Sequence, residues 1–184
     1  MPRNQIKGTA LVSLQEVAKQ AVGSHGWAEV LGHLGPQHEL CEQRTVASSW
    51  YDVSTYLELH RAIQHVAKGT PTARTLGGLA CRHDLSGVYR VFVRTLSPAA
   101  FMSVVPRFFG QYFRFGKMAV EHHGPGGATA KWTDCFGFDE HLWSDVVGHG
   151  EAGLELCGAR NVRLHVLAGG GPHDTFMTVR GHWT

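Results

Sequence analysis

The sequence has little of what membrane spans, disordered chains and export signals require. Its longest stretch without Asp, Glu, Lys or Arg runs from Thr95 to Pro106, shorter than the roughly 18 apolar residues of a membrane-spanning helix. Disordered chains combine low hydrophobicity with high net charge, whereas this chain is 43% hydrophobic with a formal net charge of +2. The apolar stretch after Lys7 is broken by Ser13 and makes a poor signal peptide. We therefore expect a globular, cytoplasmic protein with no membrane span.

The cysteines lack the spacing of a metal or redox site. Cys41, Cys81, Cys135 and Cys157 form no CxxC pair, so neither a zinc ribbon nor a thioredoxin-type motif is predicted. A domain of 184 residues buries roughly 70% of its unfolded surface without crosslinks. We therefore expect four reduced thiols in one domain that spans residues 1–184.

Common catalytic and nucleotide-binding motifs are also missing. The sequence contains no GxSxG, HExxH, P-loop or EF-hand pattern and no obvious acid–base pair of carboxylates. Residues Gly148 to Gly153 match GxGxxG, but a dinucleotide site needs a full helix after it, and Val162 already begins the next predicted strand. We interpret these glycines as a flexible helix or as sites of close backbone packing. We expect neither an enzyme nor, with so little net charge and no basic run, a nucleic-acid-binding protein.

Helical patterns predominate in residues 1–123, and a strand–helix–hairpin pattern occupies residues 128–184. Apolar periodicity, N-caps and stop signals predict helices at Thr9–Val22, Trp27–Leu34, Trp50–Lys68, Thr70–Asp84, Ser97–Glu121 and Asp139–Leu156. Alternation predicts strands at Thr129–Phe138, Val162–Leu167 and Thr175–Trp183, the last two as an antiparallel hairpin. Val88–Leu96 fits a helix or a strand, and Pro106 should kink or split its helix. This order predicts an α+β fold.

Histidine is unusually frequent, and His60 has an unusual position. It lies on the apolar face of the predicted helix Trp50–Lys68, together with Leu57 and Ile63. Such an imidazole is usually a hydrogen-bonded core residue, and the alternative is a haem or metal ligand that faces an apolar cavity. His141 and Asp145 share a helix face as a weak two-ligand possibility; otherwise no metal site is predicted. The thirteen histidines fit a pH response or a bias of composition, and we favour the second.

The segment from Phe101 to Phe115 carries the densest group of aromatic residues. They are Phe101, Phe108, Phe109, Tyr112, Phe113 and Phe115. On a helix these side chains cover more than half of the circumference, so we expect burial on several sides. A core helix, the wall of a pocket and a dimer interface all satisfy this pattern.

Several short motifs together resemble a known family. They are Lys7–Ala10, the Trp50-Tyr51 pair, Gly87–Arg90, the aromatic helix Pro106–Gly116 and the final Trp183. The combination resembles a myxobacterial-type family of single-domain proteins, which is in turn similar to the four-vinyl-reductase domain and the haem-nitric-oxide-binding fold. The resemblance covers nearly the whole chain. It implies N-terminal helices packed on a C-terminal antiparallel sheet, with a hydrophobic pocket that in relatives takes haem, acyl chains or other small apolar ligands.

Two motifs of those relatives are absent. The haem-binding relatives hold the propionates with Tyr-x-Ser-x-Arg, and the nearest string, Tyr51–Thr55, has different spacing and no arginine. Four-vinyl-reductase domains often carry a cysteine in the last strand, where Thr175–Met177 has none. The resemblance therefore implies the pocket, whereas haem and a cysteine-bound metal lack their motifs.

These observations lead to one functional hypothesis and two alternatives. The first is a non-enzymatic sensory domain that binds a small apolar ligand, with Phe108, Tyr112 and Phe115 as one wall of the pocket and His60 opposite. The second is an interaction module that forms a homodimer, or binds another protein, through the exposed Phe109 side of the aromatic helix. The third is a haem-based gas sensor with His60 as the iron ligand. The sequence requires no cofactor for the first two.

Overall fold

The helices and strands follow the α+β order that the sequence predicts. The structure is a computed structural model and describes residues 4–41, 45–85 and 88–184. Its α-helices are α1 (Gly8–His33), α2 (Val53–Val66), α3 (Ala73–Asp84), α4 (Val88–Thr95), α5 (Pro98–Tyr112) and α6 (Glu140–Leu156). Its strands are β1 (Gln5–Lys7), β2 (Trp50–Asp52), β3 (Lys117–His122), β4 (Gly127–Thr133), β5 (Arg163–Gly169) and β6 (Met177–His182). N-terminal helices and a C-terminal antiparallel sheet confirm the predicted fold class.

The first two predicted helices are joined in α1 but remain distinct segments. Gly23, the predicted stop, has φ 71° and ψ 177° inside α1, so it breaks the helical backbone. This left-handed φ favours glycine because it lacks a Cβ. The structure therefore confirms the stop signal and replaces the predicted gap with a sharp kink.

The region around Trp50 departs from the prediction. β2 pairs with β1 in an antiparallel ribbon, with Ile6 opposite Tyr51. The helix that we predicted from Trp50 starts only at Val53, where the Asp52 side chain accepts a hydrogen bond from the Ser54 amide as its N-cap. Residues Trp50–Asp52 form a strand rather than a helix because pairing with β1 satisfies the hydrogen bonds of their backbone groups.

The next helix boundaries show which capping signals were correct. Thr72, not Thr70, caps α3 by accepting from the Thr75 amide. The ambiguous segment after it is a helix, α4, and Ser97 caps α5 as predicted. Of the Gly87–Arg90 motif, Gly87 and the side chains of residues 88–90 lie outside the part of the chain that the structure describes.

The end of α5 is the largest error of the sequence prediction. We predicted a helix up to Glu121, but α5 ends at Tyr112 and the chain turns at Gly116 (φ 71°) into β3. The helix continues through Pro106 without splitting. β3 forms because β4 supplies a complete antiparallel partner, with Lys117 opposite Thr133.

The main sheet has the order β3-β4-β6-β5 and is antiparallel throughout. Val179 in the centre lies opposite Ala130 on one side and Val166 on the other, which confirms the predicted hairpin of the last two strands. β5 forms one edge, and its register skips between Val166 and Ala168, which leaves Leu167 as a β-bulge.

Helix α6 lies unusually close to α3. A Cβ atom added at Gly77 of α3 would collide with the backbone carbonyl of Asp145, and one at Gly148 of α6 would collide with the carbonyl of Arg74. A Cβ at Gly153 would collide with the Phe101 ring. Gly148 and Gly153 of the GxGxxG string therefore serve close packing, one of the two interpretations that we gave. No described helix is long and apolar enough to cross a membrane.

Candidate functional site

A carboxylate with two imidazole neighbours lies in the protein interior. Asp145 is 2% exposed and His60 is 0% exposed. His60 Nε2 lies 3.3 Å from Asp145 Oδ1, and His149 Nδ1 lies 3.3 Å from Oδ2. The Tyr56 hydroxyl donates to Oδ2 across 3.3 Å. We refer to Tyr56, His60, Asp145 and His149 as the Asp145 cluster.

Simple helix geometry brings the Asp145 cluster together. Tyr56 and His60 are four residues apart on α2, and Asp145 and His149 are four residues apart on α6, so each pair shares one helix face. The Tyr56 and His60 rings meet edge to face at 4.9 Å. Gly77 of α3 leaves the space that the Asp145 carboxylate fills.

The charges of the Asp145 cluster influence one another strongly. Burial acts to raise the pKa of Asp145, but His149 and then His60 outweigh burial, so this pKa is lowered. Burial acts to lower the pKa of His149, but the Asp145 carboxylate outweighs it and this pKa is raised. Burial and the Asp145 carboxylate both raise the pKa of Tyr56. The two groups therefore favour each other's charged forms, an Asp145 carboxylate beside a His149 imidazolium.

A second carboxylate, Asp84, lies at the end of α3. The Tyr112 hydroxyl of α5 donates to Asp84 Oδ2 across 2.6 Å, and the Ser13 hydroxyl of α1 donates to Oδ1. The Asp84 side chain is 8% exposed. Asp84 also contributes to the raised pKa of Tyr56, so its charge reaches the Asp145 cluster. Hydroxyls and imidazoles from α1, α2, α5 and α6 thus surround two carboxylates.

The structure places the four predicted site residues in different surroundings. His60 packs beside Asp145, and Tyr112 binds Asp84. Phe108 and Phe115 are half-buried against the hydrophobic core. Their joint role as ligand-binding residues stays a prediction.

Sequence reasoning missed both carboxylates as partners. We paired Asp145 with His141, four residues before it, whereas its described ion pairs are with His149, four residues after it, and with His60. A second histidine at helical spacing was the signal that we overlooked. Nothing local in the sequence identifies Asp84, because Tyr112 and Ser13 reach it from other helices.

The Phe109 side of the aromatic helix belongs to the core rather than to the surface. Phe109 and Phe113 are 8% and 9% exposed, and their rings stack at 4.8 Å. The Phe113 ring packs against the Phe138 ring with their centroids 5.2 Å apart, and the Phe138 ring packs against Trp143 at 4.6 Å. The face that the homodimer hypothesis needs on the surface is therefore buried.

Two clefts border helix α6. The first, of about 320 Å³, runs between α3 and α6 and contains two ion pairs, Arg74–Glu151 and Arg82–Glu155. The second, of about 200 Å³, lies between α6 and the sheet, and we call it the α6–sheet cleft. It is lined by Arg74, Glu140, Trp143, Ser144, Val147, Val166, Gly170 and Met177. None of the four predicted site residues lines either cleft.

Metal-binding groups are not clustered in the described chain. Within residues 4–41, 45–85 and 88–184, no group of three or more His, Cys, Asp or Glu side chains is arranged to hold a metal ion. All four cysteines are free and buried.

Comparison with solved structures identifies proteins of similar fold. No protein-family model and no curated protein matches the sequence. Among solved structures, an H-NOX protein from S. oneidensis in the Fe(II)NO ligation state has a TM-score of 0.70 at 11% identity and covers 97% of this chain and 99% of its own. The Fe(II) unliganded H-NOX protein from K. algicida has a TM-score of 0.69 at 12% identity and covers 97% of both chains. The chain thus has an H-NOX-like fold, with no comparable similarity of sequence.

Proposed function

We propose that the protein is a non-enzymatic sensory domain that binds a small, largely apolar molecule in the α6–sheet cleft. The observation that carries this proposal is the composition of the cleft. Trp143, Val147, Val166 and Met177 provide apolar contacts, Ser144 provides a hydroxyl, and Arg74 and Glu140 are the charged residues of the lining. Small-molecule sites are typically concave and apolar with a few polar groups that orient the ligand.

The size of the cleft limits the ligand. At about 200 Å³ it is smaller than the roughly 300–1,000 Å³ of sites for drug-sized molecules. The ligand is therefore a compact molecule and not a long acyl chain. This cleft lies between a helix and the sheet, as the predicted pocket does, but its helix is α6 rather than the aromatic α5.

The position of the cleft suggests how binding is transmitted. Trp143 and Ser144 line it and directly precede the buried Asp145 on α6. A ligand that shifts this turn of α6 therefore acts on the contacts of α6 with α2 and α3. A ligand changes a conformational equilibrium only through different affinities for the two states, and this turn is where such a difference arises.

Haem is the alternative ligand, since the similar structures are H-NOX proteins and one of them is described by its Fe(II)NO state. The described residues do not fit it. Protein ligands of haem iron are His, Cys, Met or Tyr side chains, and of these only the buried Met177 lines a described cleft. His60 is fully enclosed, with Nε2 beside the Asp145 carboxylate. We therefore assign His60 to the Asp145 cluster and derive no haem chemistry.

Native mass spectrometry of the protein purified from cells tests the proposal. We expect an excess native mass that denaturation releases, with no Soret absorption. Ser144→Phe should fill the cleft and remove the excess mass. Leu79→Phe is the matched control, because Leu79 lies in the α3–α6 cleft and is partly exposed.

Three results would contradict the proposal. A wild-type protein with no excess mass, even after incubation with a cell metabolite extract, would leave the cleft without a ligand. Retention of the ligand by Ser144→Phe would place it elsewhere. A Soret band with a bound mass equal to haem would establish the gas-sensor alternative.

A further inference from the structure

The two oxygen atoms of the Asp145 carboxylate differ in their hydrogen bonding. Its Oδ2 accepts from Tyr56 and lies beside His149. Its Oδ1 faces His60 Nε2 at 3.3 Å, but neither atom is aligned for a hydrogen bond, and Oδ1 has no hydrogen-bond partner among the described residues. A buried carboxylate needs a compensating charge as well as hydrogen bonds. The charge of the imidazoles therefore decides whether this site is balanced.

The groups around Asp145 offer few sources of positive charge. Those in contact with it are Tyr56 and His60 from α2 and His149 from α6 itself. From α3, Asp84 contributes to the raised pKa of His149, and the Asp145 charge contributes to the raised pKa of Cys81. Tyr112 of α5 donates to Asp84. The nearby cations of α3, Arg74 and Arg82, are paired with Glu151 and Glu155. Helix α4 and strand β5 also contact α6, but their described charged or titratable residues, Arg94, Arg163 and His165, are exposed. Compensation must therefore come from an imidazolium.

We propose that His149 is the proton-binding group of a pH-operated latch, in which its imidazolium neutralises Asp145 and keeps α2 packed against α6. This inference is independent of the α6–sheet cleft and of any ligand. It gives the Asp145 cluster a regulatory role in addition to its structural one.

The exposure of the cluster supports this assignment. The His149 side chain is 29% exposed, whereas the side chains of Asp145 and His60 are 3% and 0% exposed. Protons therefore reach His149 directly from solvent without opening the core. His149 Nδ1 also lies 3.2 Å from the Asp145 carbonyl oxygen, so the same ring contacts the side chain and the backbone of Asp145.

The loss of that proton should loosen α2 rather than α3. With a neutral His149, the buried carboxylate loses the partner that contributes most to its charged form, which is strongly unfavourable. Water must then reach Asp145 to solvate it. Helix α3 is held against α6 at Gly77 and Gly148, where backbone atoms meet, whereas α2 covers the carboxylate with the Tyr56 and His60 side chains. Separation of α2 is the movement that admits water.

The direction of the pH dependence follows from the raised pKa of His149. Its ordinary value is 6.5, and the Asp145 carboxylate raises it despite the opposing effect of burial. The stabilising contribution is therefore complete below pH 6.5 and is lost as the pH rises through the raised value. The latch is closed below pH 6.5 and opens as the pH rises through the raised pKa of His149.

Hydrogen exchange followed by mass spectrometry tests the latch. Exchange is measured at pH 6 and pH 9 and normalised for the intrinsic pH dependence of amide exchange. In the wild type, protection of α2 amides should be lower at pH 9 than at pH 6, by about tenfold for each unit by which the pKa of His149 is raised. In His149→Gln, α2 protection should be low at both pH values. His141→Gln, a half-buried histidine of the same helix outside the cluster, should behave as the wild type.

An NMR titration of the imidazole nitrogens supplies a test that needs no folded variant. We expect the His149 nitrogens to report a pKa above 6.5, together with shifts of α2 amides at the same midpoint. The proposal is overturned if His149 is neutral at pH 6.5, if α2 protection is the same at pH 6 and pH 9, or if His149→Gln keeps the wild-type pH response.

Discussion

Two adjacent glycines on α3 allow a direct test of the close contact between α3 and α6. A Cβ at Gly77 would collide with the Asp145 carbonyl and lie 2.8 Å from Asp145 Oδ1. A Cβ at Gly78 would lie 3.5 Å from the Gly148 carbonyl oxygen and 3.8 Å from the Ala152 Cβ, which are ordinary contacts. Gly77→Ala and Gly78→Ala should therefore have opposite effects on stability, although the chemical change is the same.

The expected magnitudes combine helix propensity and overpacking. In a helix, Ala is favoured over Gly by about 1 kcal/mol, and both variants gain this term. Overpacking costs roughly 1–3 kcal/mol when side chains can adjust, and at Gly77 the obstacle is backbone, which places the cost at or above the upper end of that range. We expect Gly77→Ala to lower the free energy of unfolding by about 2 kcal/mol and Gly78→Ala to raise it by up to about 1 kcal/mol.

Urea unfolding followed by far-UV circular dichroism measures both values under identical conditions. The slope of the unfolding free energy against urea should stay constant, so that a shift in the midpoint reports stability alone. Equal shifts of the two variants in the same direction would refute the argument, because helix propensity alone would then explain both. A neutral Gly77→Ala would mean that α3 and α6 separate at little cost.

Other features of the site lead to further predictions. Tyr112→Phe removes the hydroxyl that donates to Asp84 across 2.6 Å; it should lower the free energy of unfolding by roughly 1–3 kcal/mol, and urea unfolding that matched the wild type would contradict this. Burial raises the pKa of Cys81 and of Cys135 to about 12. Since the thiolate is the reactive form, we expect neither thiol to react with iodoacetamide at pH 8 in the folded protein, as read by intact mass, while both react in urea. Modification of the folded protein at either cysteine would refute their burial.

Local signals in the sequence predicted the helices better than the strands. Ser97 and Gly23 marked a helix start and a break correctly, because capping and left-handed backbone are properties of single residues. The β1–β2 ribbon was missed since each strand has only three residues and no alternation to detect. β3 was taken for the end of a helix, because its strand character depends on pairing with β4.

The candidate site was predictable only in part, because its residues are far apart in the sequence. The burial of His60 followed from the apolar periodicity of its own helix. Its partner Asp145 could not be found in this way, because α2 and α6 are far apart in sequence: Tyr56 and Asp145 are separated by 89 residues. The pocket that we predicted beside the aromatic α5 stays a prediction, and the two described clefts lie beside α6.

The β-bulge in β5 affects how neighbouring molecules meet. An uninterrupted edge strand offers a row of unpaired amides and carbonyls on which another chain can add as a further strand. In β5 the register skips at Leu167, midway along the edge, so a chain aligned with the first half of the strand is out of phase with the second. The bulge therefore opposes edge-to-edge polymerisation, even though Val166 and Leu167 expose about half of their surface, at 49% and 53%.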